Sequence, residues 1–186
     1  MLDRDDALRL MRERIADENT RRHCLASEAV LRALAERLGH DPELWGLTGL
    51  LHDLDYAETH DAPERHGLAA AGALEGKLPE EAVAAIKLHN CERNACGEPS
   101  SELDWALRCG ETVTGLITAA ALVRPNGMEG MKAKSLKKKM KDKAFARSVS
   151  RGNIQECEKL GLDLSEFLTL SVAAMTPLAG ELGITE

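Results

Sequence analysis

Aromatic residues are scarce in this chain: two Trp, two Phe and one Tyr make up 3% of its 186 residues. β-Sandwiches lean on aromatic and β-branched side chains, so this scarcity, beside abundant Ala and Leu, favours helices. No apolar run approaches the ~20 residues needed to cross a bilayer. The N-terminal stretch MLDRDDALRLMRERIADEN is strongly charged and lacks the apolar region of a signal peptide, so a cytoplasmic location is expected. The five cysteines (24, 91, 96, 109 and 157) are odd in number and form no CxxC. They fit reduced thiols better than a disulfide framework. Cys91 and Cys96 make half a zinc site at most, with no second cysteine pair to complete it. Internal repeats and low-complexity linkers are absent too. At this length, one domain with a proper hydrophobic core, alone or with an appendage, is expected.

The formal net charge of −7 hides an asymmetry. Residues 131–147 carry seven Lys and one Arg against a single Asp, so the rest of the chain is strongly acidic. A general nucleic-acid binder would carry basic residues over a whole face. An acidic body repels a long polyanion, which argues against long nucleic acid as a partner. It suits metal binding or a solvated surface, with one local segment that attracts anions.

Apolar spacing and punctuation predict helices along the whole chain and no convincing strand. A first helix is expected over 5–16 and a second from about Asn19-Thr20, as N-caps, to Gly39. A third opens at Pro42 and leads directly into His52-Asp53. Further helices are expected over 63–76, 79–90 and 101–123, with loops at 55–63 and 91–100. Shorter helices follow in the Lys-rich block and over 150–160 and 163–175. The expected class is all-α: a compact helical bundle over 1–125, and a C-terminal helical extension, 126–186, packed on the same domain.

Against this background the adjacent pair His52-Asp53 stands out, with His23, His66, His89 and Glu111 around it in sequence. An imidazole beside a carboxylate can grip one cation, and six such groups can hold two, with a carboxylate between them. By helical spacing His23 falls on the apolar stripe of the second helix and Glu111 on the inner side of the long one. His66 and His89 have similar positions on two further helices, so four ligand candidates are expected on inward faces of four helices. Buried imidazoles and carboxylates are costly unless paired, bonded or coordinated. His40 and His60, each followed by an Asp in a polar loop, read as surface residues.

The run RRHCLASEAV … LLHDLDY, with a later acidic residue on a long helix, resembles the HD-domain superfamily of metal-dependent phosphohydrolases. The resemblance covers roughly residues 20–125. It implies that His23, His52, Asp53 and the distal acid Glu111 bind one metal. The segment ERHGLAAAGAL … AAIKLHN is similar to the binuclear branch, which includes symmetrical dinucleoside tetraphosphate hydrolases. That likeness adds His66 and His89 as ligands to a second metal, with Asp53 bridging. The stretches TGLITAAALVRP and KSLKKKMKDKAFARSVSR are similar to small bacterial HD hydrolases. In one respect the chain departs from the pattern: Glu111 stands where the family carries Asp.

The implied function is a phosphohydrolase acting on a nucleotide or other small phosphate ester through a metal-activated water. The cofactor would be one or two divalent transition metals, Fe, Mn, Co, Ni or Zn, since Mg prefers oxygen donors alone. His52 and Asp53 would be central to catalysis. A Lys or Arg often follows the HD pair in the family, but Asp55-Tyr56 stands here. Arg22, Arg65, Lys87 and Arg93, close in sequence to ligands, and Lys137 and Lys138 of the basic block are the candidates to hold the substrate anion. The basic block itself reads as a phosphate-attracting lid or, more simply, as a solvated helix. Trp45 and Tyr56 read as packing residues before base-stacking ones. Two other classes stay open, a diiron oxygenase on the same fold and a non-catalytic HD-like signalling module. A homo-oligomer is also open.

Overall fold

Asp17, Asp41 and Ser101 each accept a hydrogen bond from a backbone N–H at the start of a helix, and those three helices make the frame of the molecule. The computed structural model describes residues 2–184, all helix, turn or loop, with no strand among them. In chain order the helices are α1 (Arg4–Arg14), α2 (Glu18–Leu38), α3 (Pro42–Leu51), α4 (Tyr56–Thr59), α5 (Leu68–Leu74) and α6 (Glu80–Leu88). They continue as α7 (Cys91–Asn94), α8 (Glu102–Leu122), α9 (Ala133–Lys141), α10 (Arg151–Gln155) and α11 (Leu164–Met175). Short 3-10 turns follow α10 (Glu156–Leu160) and α11 (Thr176–Leu178). No helix among the described residues is long and apolar enough to cross a membrane.

Most boundaries fall within two residues of the sequence reading. The second helix starts earlier than expected because Asp17, rather than Asn19 or Thr20, takes the N-cap and accepts from Thr20 N. It stops at Gly39, whose left-handed φ of 81° suits glycine. The larger difference is α5, which begins at Leu68 rather than Pro63. Residues 63–67 form turns, and Gly67, at φ 85°, breaks any continuous helix ahead of Leu68. The expected loops at 55–63 and 91–100 also contain the single turns α4 and α7.

α2 packs on α3 and α8, and α6 covers α3 and α8 from another side. Two glycines allow the backbones to close up. A Cβ on Gly49 of α3 would lie 2.8 Å from the carbonyl oxygen of Ser27 on α2. One on Gly110 of α8 would lie 2.6 Å from Leu31 Cδ2. Gly49→Ala is therefore expected to lose about 1–3 kcal/mol of stability, because the obstacle is backbone and cannot rotate away. Urea unfolding measures this directly; unchanged stability would contradict the close approach.

Residues after 125 belong to the same hydrophobic cluster. Ile154, Cys157, Phe167, Leu168 and Met175 are buried in it, with α11 lying on α2, α8 and α9 and α10 lying on α8. The basic helix α9 docks through the fully buried Leu136 while most of its lysines face solvent.

Candidate metal centre

The three frame helices bring chemistry together where α2, α8 and the end of α3 meet. His23 lies early in α2 and Glu111 midway along α8. His52 caps the C-terminus of α3, and Asp53 follows it into the next turn. His89 caps α6 in the same way. His66 stands in the turn ahead of α5, so it and His89 come from helix ends rather than from inward helix faces. A Cβ on Gly67 would lie 2.9 Å from Ile86 O and 3.1 Å from His89 Cε1, so glycine there lets the His66 turn press against His89.

The hydrogen-bond partners determine which nitrogen of each ring faces inward. His52 Nδ1 lies 2.8 Å from Gly49 O, and His89 Nδ1 lies 2.6 Å from Ile86 O. A carbonyl only accepts, so both rings carry their proton on Nδ1. His66 Nδ1 donates to Asp55 Oδ1 at 2.8 Å. The Thr114 hydroxyl donates to Glu111 O at 2.7 Å, leaving its oxygen to accept from His23 Nδ1 at 2.9 Å. In the neutral rings every Nε2 therefore bears a lone pair, and all four converge.

Those lone pairs crowd one another. His23 Nε2 is 3.2 Å from His52 Nε2, and His66 Nε2 is 3.1 Å from His89 Nε2. Two acceptors at that distance repel, so each pair calls for a cation or a proton between its members. The Asp53 carboxylate lies among them. Its Oδ1 is 3.3 Å from His52 Nε2, 3.2 Å from His66 Nε2 and 3.8 Å from His89 Nε2, and its Oδ2 is 3.7 Å from His23 Nε2. Two triads result, His23-His52-Asp53 and Asp53-His66-His89, each with ligand atoms within 4.8 Å of one another, and they share Asp53. Glu111 stands beside the first, its Oε2 3.7 Å from His23 Nε2.

The electrostatics suit a cation. Burial pushes His23 and His89 down, to about 4 and about 3, so both are neutral ligands at pH 7. Burial would also lower His66, but Asp53 and Asp55 on its two sides raise it to about 10. A metal ion at this triad would therefore have to compete with a proton for His66 Nε2. Burial acts to raise Asp53, yet the rings of His52, His66 and His23 outweigh it and hold the carboxyl well below its usual range. Glu111 is pushed up to about 8 by burial, against a hydrogen bond from the Thr112 hydroxyl and with the repulsion of Asp53 added. A cation within reach would return it to the charged form. These donors fit a divalent transition metal, and the protein already orients every imidazole through its second nitrogen.

Asp55 carries little signal in the sequence, where it reads only as a replacement for a basic residue. In the fold it is buried, and its Oδ2 accepts from both Gly67 N and Ala70 N at 2.9 Å. It caps α5 from outside and holds His66 at once. Asp55→Asn would set an NH2 group against two backbone N–H groups, or flip and disturb the His66 tautomer. The expected result is a loss of about 10–100-fold in metal affinity at the second triad, measured by calorimetric titration. Equal affinities in both proteins would remove Asp55 from this role.

The triads open into a cleft of about 750 Å³. Of the anion-binding candidates, Arg93 lines it. Arg22 pairs with Glu18 at 3.6 Å and reaches toward Gly183. Lys87 lines a separate groove, Lys137 donates to Ser165 Oγ at 2.9 Å, and Arg65 and Lys138 are exposed away from the cleft walls. Trp45 is buried and stacks on His40, whereas Tyr56, 42% exposed, lines the cleft. The lining also includes Ser148, Val149, Ser150 and Asn153, a segment that no local pattern ties to the centre.

A family model, HD domain, matches residues 20–123, more than half of the chain and the stretch that carries all six groups. No curated protein and no solved structure matches it.

Proposed function

The chain belongs to the HD-domain superfamily of metal-dependent phosphohydrolases, and from that premise we propose that it hydrolyses a nucleotide or another small phosphate ester through a metal-activated water. The observation that carries this reading is the convergence of four histidine Nε2 atoms on one shared carboxylate. We assign one metal ion to His23, His52 and Asp53, with Glu111 beside it, and a second to Asp53, His66 and His89. Imidazole and carboxylate donors suit Fe, Mn, Co, Ni or Zn.

Such ions, when bound, supply hydroxide near neutral pH and neutralise charge on phosphoryl oxygens. The protein's own contribution is positional. Gly49 O, Ile86 O, Asp55 and Thr114 aim the four rings. Asp53, kept ionised, is available to both triads. The cleft volume fits a small ester, within the usual range of ligand pockets.

The test is elemental analysis of the purified protein, with His66→Ala and His89→Ala alongside, followed by hydrolysis of para-nitrophenyl phosphate. About two transition metals per chain, falling toward one in either variant, are expected together with ester hydrolysis. Bound iron with oxygen uptake and no hydrolysis would favour a diiron oxygenase instead. Failure to hold metal even after reconstitution would favour a non-catalytic module.

A further inference from the structure

We infer that the cleft is built for an ester bearing a single phosphoryl group on a neutral, hydroxyl-rich alcohol, such as a nucleoside or sugar monophosphate, and against polyphosphates. The inference rests on the phosphohydrolase reading and names its substrate class. It starts from the charges on the cleft walls beyond the metal-binding groups. Among the described residues these are Asp17, Glu92 and Arg93. Both Glu92 carboxylate oxygens accept from the Arg108 guanidinium, which Glu156 shares, so that cluster keeps one excess negative charge. Arg93 is thus the one cation set against Asp17 and that cluster, and the lining as a whole offers no excess of positive charge. None of the seven lysines of segment 131–147 lines the cleft. A chain of two to four phosphates would extend past the centre into walls with one cation to meet it, and with Asp17 to repel it.

The remaining wall groups are neutral hydrogen-bonding side chains, Asn19, Thr20, Asn90, Ser148 and Asn153 among them. Their bonds leave usable groups. The Asn153 Oδ1 accepts from the Ser150 hydroxyl at 2.8 Å, which leaves its NH2 group to donate. Asn90 donates through Nδ2 to Pro63 O at 2.8 Å, leaving Oδ1 to accept. Donors and acceptors in one lining match the mixed donor–acceptor character of sugar hydroxyls. An apolar alcohol would leave them unpaired, which a polar site penalises.

The experiment uses the metal-loaded, full-length protein and compares kcat/KM across a matched series. The series is a nucleoside 5′-monophosphate, its di- and triphosphate, the bis-nucleoside tetraphosphate, a sugar monophosphate and para-nitrophenyl phosphate. The monophosphates should exceed every polyphosphate by at least about 100-fold, the penalty for unmatched like charges. Asn153→Ala should raise KM about 3–10-fold for the hydroxylated monophosphates, the effect of one lost neutral hydrogen bond, and leave para-nitrophenyl phosphate unchanged. Equal or faster cleavage of a polyphosphate overturns the inference while keeping the phosphohydrolase reading. An Asn153→Ala effect that is the same on para-nitrophenyl phosphate also overturns it, since that marks a structural disturbance. Absence of hydrolysis on the whole series defeats both readings together.

Discussion

Asp53→Ala is expected to strip both proposed metal ions and to lower ester hydrolysis by at least about 10³-fold, because metal charge stabilisation is worth several kcal/mol of barrier. No other residue should show so large an effect on both sites. The Asp53 carboxylate oxygens lie within 3.8 Å of Nε2 in all four histidines, whereas each histidine belongs to one triad. His66→Ala should cost the second ion alone and His52→Ala the first. The fold should survive, since Asp53 pairs with the centre rather than with the hydrophobic cluster, and helical content by circular dichroism checks that. Metal analysis and kinetics on the three variants separate a shared carboxylate from an ordinary ligand. An Asp53→Ala protein that retains one tightly bound ion would falsify the assignment of Asp53 to both triads.

Arg108→Met is expected to destabilise the protein by about 3 kcal/mol and to loosen the second triad. Arg108 is a fully charged side chain inside the molecule, only 3% exposed, on α8. Its guanidinium donates to Glu156 through Nε and Nη2, at 2.7 and 2.8 Å, and to the Glu92 carboxylate. It also donates to His89 O at 3.1 Å. Removing one partner of a buried ion pair costs about 3–5 kcal/mol, and the lower end applies because Glu92 is itself 55% exposed. Glu156 stands in the turn after α10, so the same guanidinium ties the C-terminal wall of the cleft to the residue that carries a ligand. Urea unfolding reads the stability, and metal titration reads the second site. A variant that unfolds normally yet binds both metals as tightly as the parent would limit Arg108 to neither role.

Much of this architecture is legible in residue order. The helix stops at Gly39, the start at Pro42 and the capping box at Ser101 and Asp104 follow local rules, because their partners lie within four residues. The clearest misreading shows the opposite case. The run from Pro63 is rich in Ala and Leu and looks helical, but its first five residues form turns. Asp55 decides this by bonding Gly67 N and Ala70 N from 12 and 15 residues away, and no periodicity contains such a bond. The anion-binding candidates show it again. Arg22, Lys87 and Lys137 are close to ligands or to one another in sequence, yet their side chains turn to Glu18, another groove and Ser165. Adjacency along a helix says nothing about direction around it once neighbours compete for the side chain.

What residue order alone determined is the all-helical class and the set of groups able to bind metal, since both follow from composition, period and residue type. It also carries half of the ring orientation: His52 and His89 each bond a carbonyl three residues back, a contact that a helix end makes by itself. Only the tertiary structure decided the other half. His23 takes its tautomer from Thr114, 91 residues away, and His66 from Asp55 across a turn. It alone also brought Ser148, Val149, Ser150 and Asn153 into the cleft lining with Arg93 and kept the lysines of the basic segment off it. The physical reason is one of range: a proton's position on an imidazole, or the charge of a cavity wall, depends on the atoms within hydrogen-bonding distance, and here the chain draws those atoms from distant elements.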